Sequence, residues 1–177
     1  DFMLGYSALA QALESLPHQF VGENPSLPDA RKAENWDNLK TFYRTYRVYA
    51  NATVEAFEDG YNLGMLEAMA TGAPVVTIAN ATSPIVDGVN GYVCETPEQM
   101  RARVSELLND AELARKLGAG AFQTVQDDFS VDAFVDTWIT AFNTCLATGN
   151  ATSSSSSFKL EVSVADTYAY DEHDVQL

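Results

Sequence analysis

Basic residues are few in this chain: ten Lys and Arg, only four of them Lys, stand against 25 Asp and Glu, for a formal net charge of -15. A field of that sign repels phosphate backbones and anionic lipid surfaces, so nucleic acid is excluded as a partner. Any phosphate the chain binds must then be held by local backbone geometry. Cysteine is equally scarce. Cys94 and Cys145 make no disulfide framework, and no Cys or His pair has metal-ligand spacing, so buried reduced thiols and no metal site are expected. No apolar run approaches the roughly 20 residues that span a bilayer, and no secretory leader pattern is visible. A cytoplasmic protein is the resulting expectation. The chain opens on Asp1 and not on Met, so a segment ahead of it is also expected. Asn-Ala-Thr occurs at Asn51, Asn80 and Asn150; the first two fall at strand ends, where chance occurrence is the better reading than glycosylation.

What the chain does have is alternation of helix and strand patterns. Tyr6, Leu9, Leu13 and Leu16 repeat at spacings of three and four and predict a short helix stopped by Pro17. His18–Gly22 reads as a strand, with His18 structural, running into the loop Glu23-Asn24-Pro25. A helix is expected from about residue 36 to Thr45, then a strand at 47–50 leading through Thr53 to Phe57. Pro74–Ala79 is a near-continuous apolar run, as in a strand covered on both faces. Asn90-Gly91 marks a tight turn before a last strand, Tyr92–Cys94. Thr96-Pro97-Glu98 announces a helix over 97–109. A second follows over 110–125, interrupted at Gly118 and Gly120, and a third runs from Ser130 with Val131, Phe134, Val135, Trp138, Ile139, Phe142 and Leu146 on one face. That face is expected to pack on this domain, an interface with another lobe being the alternative. The rhythm of strand and helix argues an α/β protein with a parallel sheet flanked by helices.

Residues 59–76, Asp-Gly-Tyr-Asn-Leu-Gly-Met-Leu-Glu-Ala-Met-Ala-Thr-Gly-Ala-Pro-Val-Val, carry the one chemical constellation. Asn62 is suited to cap a helix that Gly72 and Pro74 terminate. A helix start, its amides free and its dipole positive, attracts phosphate oxygens. Asp59 and Glu67 lie on either side of that start. Carboxylates do not bind phosphate, but they accept hydrogen bonds from the hydroxyls of ribose and sugar rings. A diphosphate flanked by polyols describes a nucleotide sugar. Strand ends deliver two further loops to the same rim, which adds Glu23, Asn24, Thr82 and Ser83 as weaker candidates.

The stretch resembles the acid-x7-Glu motif of group 1, family 4, retaining glycosyltransferases. Asp59 stands for the first Glu, Gly60-Tyr61 for Gly-Phe and Asn62 for the second Gly; Glu67-Ala68-Met69-Ala70, Gly72, Pro74, Val75 and Val76 match directly. Asp87-Gly88-Val89-Asn90-Gly91-Tyr92 resembles a second family turn, and the similarity spans about residues 5 to 146. The resemblance implies a Rossmann-like sheet forming the carboxyl-terminal, donor-binding half of a two-lobed GT-B fold. It implies that Glu67 bonds ribose hydroxyls, that Asp59 bonds the donor sugar, and that the amides of Tyr61, Asn62 and Leu63, next to Gly60, hold the distal phosphate. It calls for no cofactor and no metal. The family's Gly-Arg and Lys-Gly cations and its acceptor lobe have no equivalent in these 177 residues. The chain is therefore expected to be a piece of a longer protein, inactive or nearly so by itself, with any peripheral membrane contact made through the other lobe. A non-catalytic module of the same fold, kept for protein contacts, is the alternative.

The donor domain is expected over 1–148, a Ser-rich linker over 149–157, and an acidic tail over 158–177, flexible or strand-donating. His173 among Asp171, Glu172 and Asp174 is discounted as a metal site. Tyr43, Tyr46 and Tyr49 have the spacing of a packing stripe.

Overall fold

The computed structural model describes residues 5–53, 61–80 and 82–149. Asp59, Gly60, the run to Phe57, the sequon at Asn150 and the tail lie outside the described residues. The chain divides into two compact units, Asp1–Ser130 and Val131–Leu177.

In the first unit the order is α1 (Tyr6–Leu13), α2 (Trp36–Thr45), β1 (Tyr49–Asn51), α3 (Leu63–Ala70), β2 (Val75–Ile78), β3 (Gly91–Cys94), α4 (Pro97–Asn109) and α5 (Ala111–Asp128). The three strands form one parallel sheet in the order β1-β2-β3, with Ala50 opposite Val76 and Val76 opposite Tyr92. Successive side chains of a strand point to opposite faces, and β2 shows the result. Val76 joins Ala12, Leu13, Met100, Val104, Leu107 and Leu117 on one side. Val75 joins Met65, Met69, Ile85 and Ala121 on the other. Both faces are covered, which is why this strand reads as a near-continuous apolar run.

Local signals set most boundaries. Asn35, Thr96 and Asp110 each accept a hydrogen bond from the amide three residues on, opening α2, α4 and α5. α3 ends in a Schellman motif: Gly72, at φ 78°, donates to Met69 O at 2.9 Å, and Ala73 donates to Ala68 O at 3.2 Å.

Several expectations are corrected. α1 stops at Leu13, short of Pro17, because Ser15 turns into the left-handed region at φ 76° and Leu16 bonds back to Leu13 O at 2.9 Å. His18–Gly22 is not a strand of the sheet. Val21 makes only an isolated parallel bridge with Arg31, and the prolines at 25 and 28 bring the chain back at once. α5 is not interrupted at Gly118 or Gly120. A Cβ on Gly118 would sit 2.0 Å from Gly72 O, and one on Gly120 would sit 2.3 Å from Val89 O. These glycines let the helix approach two backbone turns closely. The tight turn before the last strand is found at residues 88–90, and Asn90 braces it from inside: it is 1% exposed, accepts from Val86 N at 2.7 Å and donates to Pro84 O and Thr124 Oγ1. The positive φ of that turn belongs to Gly88, at 73°.

In the second unit α6 covers Val131–Gly149. Phe134, Trp138 and Phe142 stack along it, with ring centroids 6.2 and 5.3 Å apart. Val131, Phe134, Trp138, Ile139, Phe142 and Leu146 of this helix are exposed. Cys145 is exposed too, where a buried thiol is expected; Cys94 is buried.

Candidate functional site

The site is built on the start of α3. Asn62 has extended backbone, and its Oδ1 accepts from Met65 N at 2.9 Å. This cap uses the amide of the third helical residue. The amides of Leu63 and Gly64, at the first two positions, have no acceptor within the helix. No acidic side chain occupies the first turn of α3, so the positive end of its dipole is not neutralised from within the helix. Tyr61 and Leu63 flank the start and are exposed, the Tyr61 ring lying edge-on to Phe129 at 5.0 Å. Met65 is buried beneath, and Ser83 donates from Oγ to its Sδ at 3.9 Å. That contact joins the loop after β2 to the start of α3.

One turn further in stands Glu67, half-buried. Tyr43 reaches it from α2 and donates its phenol hydrogen to Glu67 Oε2 at 2.7 Å. Tyr49, from β1, packs at 6.2 Å on the Tyr43 ring and lies with its hydroxyl 3.5 Å from Asn62 Oδ1. Both phenols keep their protons well beyond the ordinary range. Burial comes first and the neighbouring Glu67 second: Tyr49 is pushed up to about 12, and Tyr43 is raised as well. Gly64 fits beneath them, since a Cβ there would lie 3.0 Å from Tyr49 Oη and 3.5 Å from Tyr43 Oη. A carboxylate held by a phenol, beside a helix whose first turn carries no acid, can receive a ligand carrying hydroxyls at one end and an anion at the other.

The family model described as glycosyl transferases group 1 matches residues 7–110, more than half the chain. The chain belongs to the group 1 glycosyltransferases. This glycosyltransferase chain is 30% identical over 90 residues to a poly(ribitol-phosphate) alpha-N-acetylglucosaminyltransferase of Staphylococcus aureus, a match covering 48% of the chain and 18% of that relative. The matched stretch thus spans under a fifth of that relative's length. Its fold superimposes on sucrose-phosphate synthase from Thermosynechococcus elongatus with a TM-score of 0.67, at 20% identity, over 84% of this chain and 44% of that one. It also superimposes on Anabaena HepE, solved in complex with UDP-glucose, with a TM-score of 0.56, at 16% identity, over 71% and 42%. The parallel sheet flanked by helices is the fold of these GT-B glycosyltransferases.

Within the glycosyltransferase chain the predicted residues separate into two groups. Asn62, Leu63, Glu67 and, through Met65, Ser83 meet at or near the start of α3. Glu23 instead pairs with Lys32 at 2.5 Å, and Asn24 caps its own loop by accepting from Ser26 N at 2.9 Å. Thr82 turns back on Asn80, with its amide 2.9 Å from Asn80 Oδ1. Tyr43 and Tyr49 are the residues that sequence reasoning assigns to packing alone. A signal exists for them, since a phenol in a helix-to-strand segment that becomes buried needs a partner for its hydroxyl. The sequence does not say which partner.

A cavity of about 730 Å³, lined by Leu16, Pro17, Arg44, Tyr46, Arg47 and Leu108 among others, opens near the amino end of β1. It has no carboxylate in its lining and lies apart from Glu67. No described helix is long and apolar enough to cross a membrane.

Proposed function

We propose that the chain is the carboxyl-terminal, nucleotide-sugar-binding lobe of a retaining GT-B glycosyltransferase that transfers a hexosyl group from a nucleoside diphosphate sugar. The observation that carries this reading is the start of α3, capped by Asn62, free of acids in its first turn and succeeded by the held carboxylate of Glu67. The complex of the Anabaena relative with UDP-glucose supports a donor of that class. The distal phosphate would lie on the amides of Tyr61, Asn62 and Leu63, the ribose hydroxyls on Glu67, and the sugar on Asp59. As the bond from the anomeric carbon to the diphosphate oxygen breaks, negative charge grows on that oxygen. The helix start is oriented to stabilise it. The acceptor hydroxyl passes its proton to the departing diphosphate oxygen and bonds to the same carbon on the face that group vacates. The acceptor lobe and the cations ahead of α1 belong to the longer protein, so the chain alone binds donor without turning it over. The scheme assigns the leaving-group charge to backbone amides and those cations, and calls for no metal.

Titration calorimetry with UDP and GDP tests this reading. One of the two binds the wild-type chain. Glu67→Gln weakens that binding by about 10- to 100-fold, the loss of a charge-assisted hydrogen bond. Silence of the wild-type chain toward both at millimolar concentration defeats the reading.

A further inference from the structure

Resting on that reading, we infer that Tyr43 is a positioning residue: its hydroxyl holds the Glu67 carboxylate so that the remaining oxygen is presented to the vicinal hydroxyls of the ligand's ribose. Glu67 offers about four lone-pair positions, and Tyr43 takes one of them, on Oε2, at 2.7 Å. Among the described residues Glu67 has no other hydrogen bond or ion pair. Its Oε1 is thus left to a ligand while its rotamer is set from α2.

The tyrosine is itself fixed. Its ring leans on Tyr49 of β1, 6.2 Å away at 56°, and both hydroxyls bear on Gly64 of α3. Strand, tyrosine pair and carboxylate form one continuous support between β1 and the second turn of α3. A glutamate on an exposed helix face samples several rotamers, and ordering it costs a ligand diol part of its binding energy. Here the ordering is done in advance. Tyr43 also keeps its hydrogen through neutral and mildly alkaline pH, because burial and the charge of Glu67 both oppose its loss.

The test uses calorimetry with whichever of UDP and GDP binds the chain, and with its 2′,3′-dideoxy analogue. Wild type prefers the ribonucleotide. Tyr43→Phe, which keeps the ring and removes the hydroxyl, loses about tenfold on the ribonucleotide, about the value of a hydrogen bond to a charged group, and leaves the dideoxy analogue unchanged. Glu67→Asp, which withdraws the carboxylate from Tyr43 by one methylene and leaves the tyrosines packed, erodes the same preference; it serves if the phenylalanine variant does not fold. A purely structural tyrosine moves both ligands alike or neither, and either result overturns the inference while nucleotide binding stands. Wild-type binding without preference between the two sugars overturns it as well. If wild type binds neither nucleotide, the donor reading and the inference fall together.

Discussion

Helices α3 and α4 both open on a side-chain cap, Asn62 accepting from Met65 N at 2.9 Å and Thr96 accepting from Gln99 N at 3.3 Å. They differ in the charge of the turn behind the cap. α4 carries Glu98 in its first turn, α2 carries Asp37 and α5 carries Glu112, whereas α3 carries no acid there. In a chain with 25 acidic residues this bare start matters. An acid in the first turn answers the helix dipole from inside the protein, and a start without one leaves that field to an outside anion. The cap and the first turn of α3 therefore do different work. The cap stabilises the helix, as in α4, and the empty first turn suits a ligand.

The widest break between the two helices comes from the far end of α3. Gly118→Ala places a Cβ 2.0 Å from Gly72 O, at the turn that terminates the helix. Overpacking of this kind costs about 1–3 kcal/mol or more, read as a lowered midpoint in urea or heat. Next come the caps. Asn62→Ala and Thr96→Ala each remove about 1 kcal/mol of stability, but only Asn62→Ala alters nucleotide affinity in calorimetry. Equal effects of both on the ligand would erase the distinction between the two helix starts. Smaller is Leu63→Glu, an acid placed in the bare turn at an exposed position. It raises stability by about 0.3–1 kcal/mol through the dipole and weakens nucleoside diphosphate binding.

Least visible near neutrality is the tyrosine pair. The unfolded phenol titrates near 10, and Tyr49 in the folded chain near 12, displaced first by burial and then by Glu67. The folded state therefore holds its proton longer than the unfolded one. Its contribution is fully present below pH 10 and is lost as pH rises toward 12, and Tyr43, shifted the same way, adds to the loss. Tyr49→Phe flattens the stability profile across that window, measured by chemical denaturation.

Much of the site is legible in the sequence because it lies on one continuous stretch. Asn62, Glu67, Gly72 and Pro74 all act within a few residues, as cap, carboxylate and helix stop. A convergence of loops points to Glu23 and Asn24, and each instead engages a neighbour in its own loop. Tyr43 is hidden for the opposite reason. It lies 24 residues before its partner, and no periodicity in α2 points across to α3. Gly118 and Gly120 read as helix breakers because their intrinsic propensity is poor. Their neighbours Gly72 and Val89 come from elsewhere in the chain and make small residues a requirement.

Caps, stops and strand-versus-helix periodicity follow from the sequence by itself, because each depends on bonds and side-chain directions spanning at most one or two turns. Membership of the group 1 glycosyltransferases is visible on the same terms, in two ordered motifs. Only the tertiary structure decided which phenol holds Glu67, why α5 runs unbroken through two glycines, and that Asn90 is a buried brace. Those outcomes depend on which surfaces the parallel sheet brings within a few ångströms of each other, and separation along the chain carries no record of that.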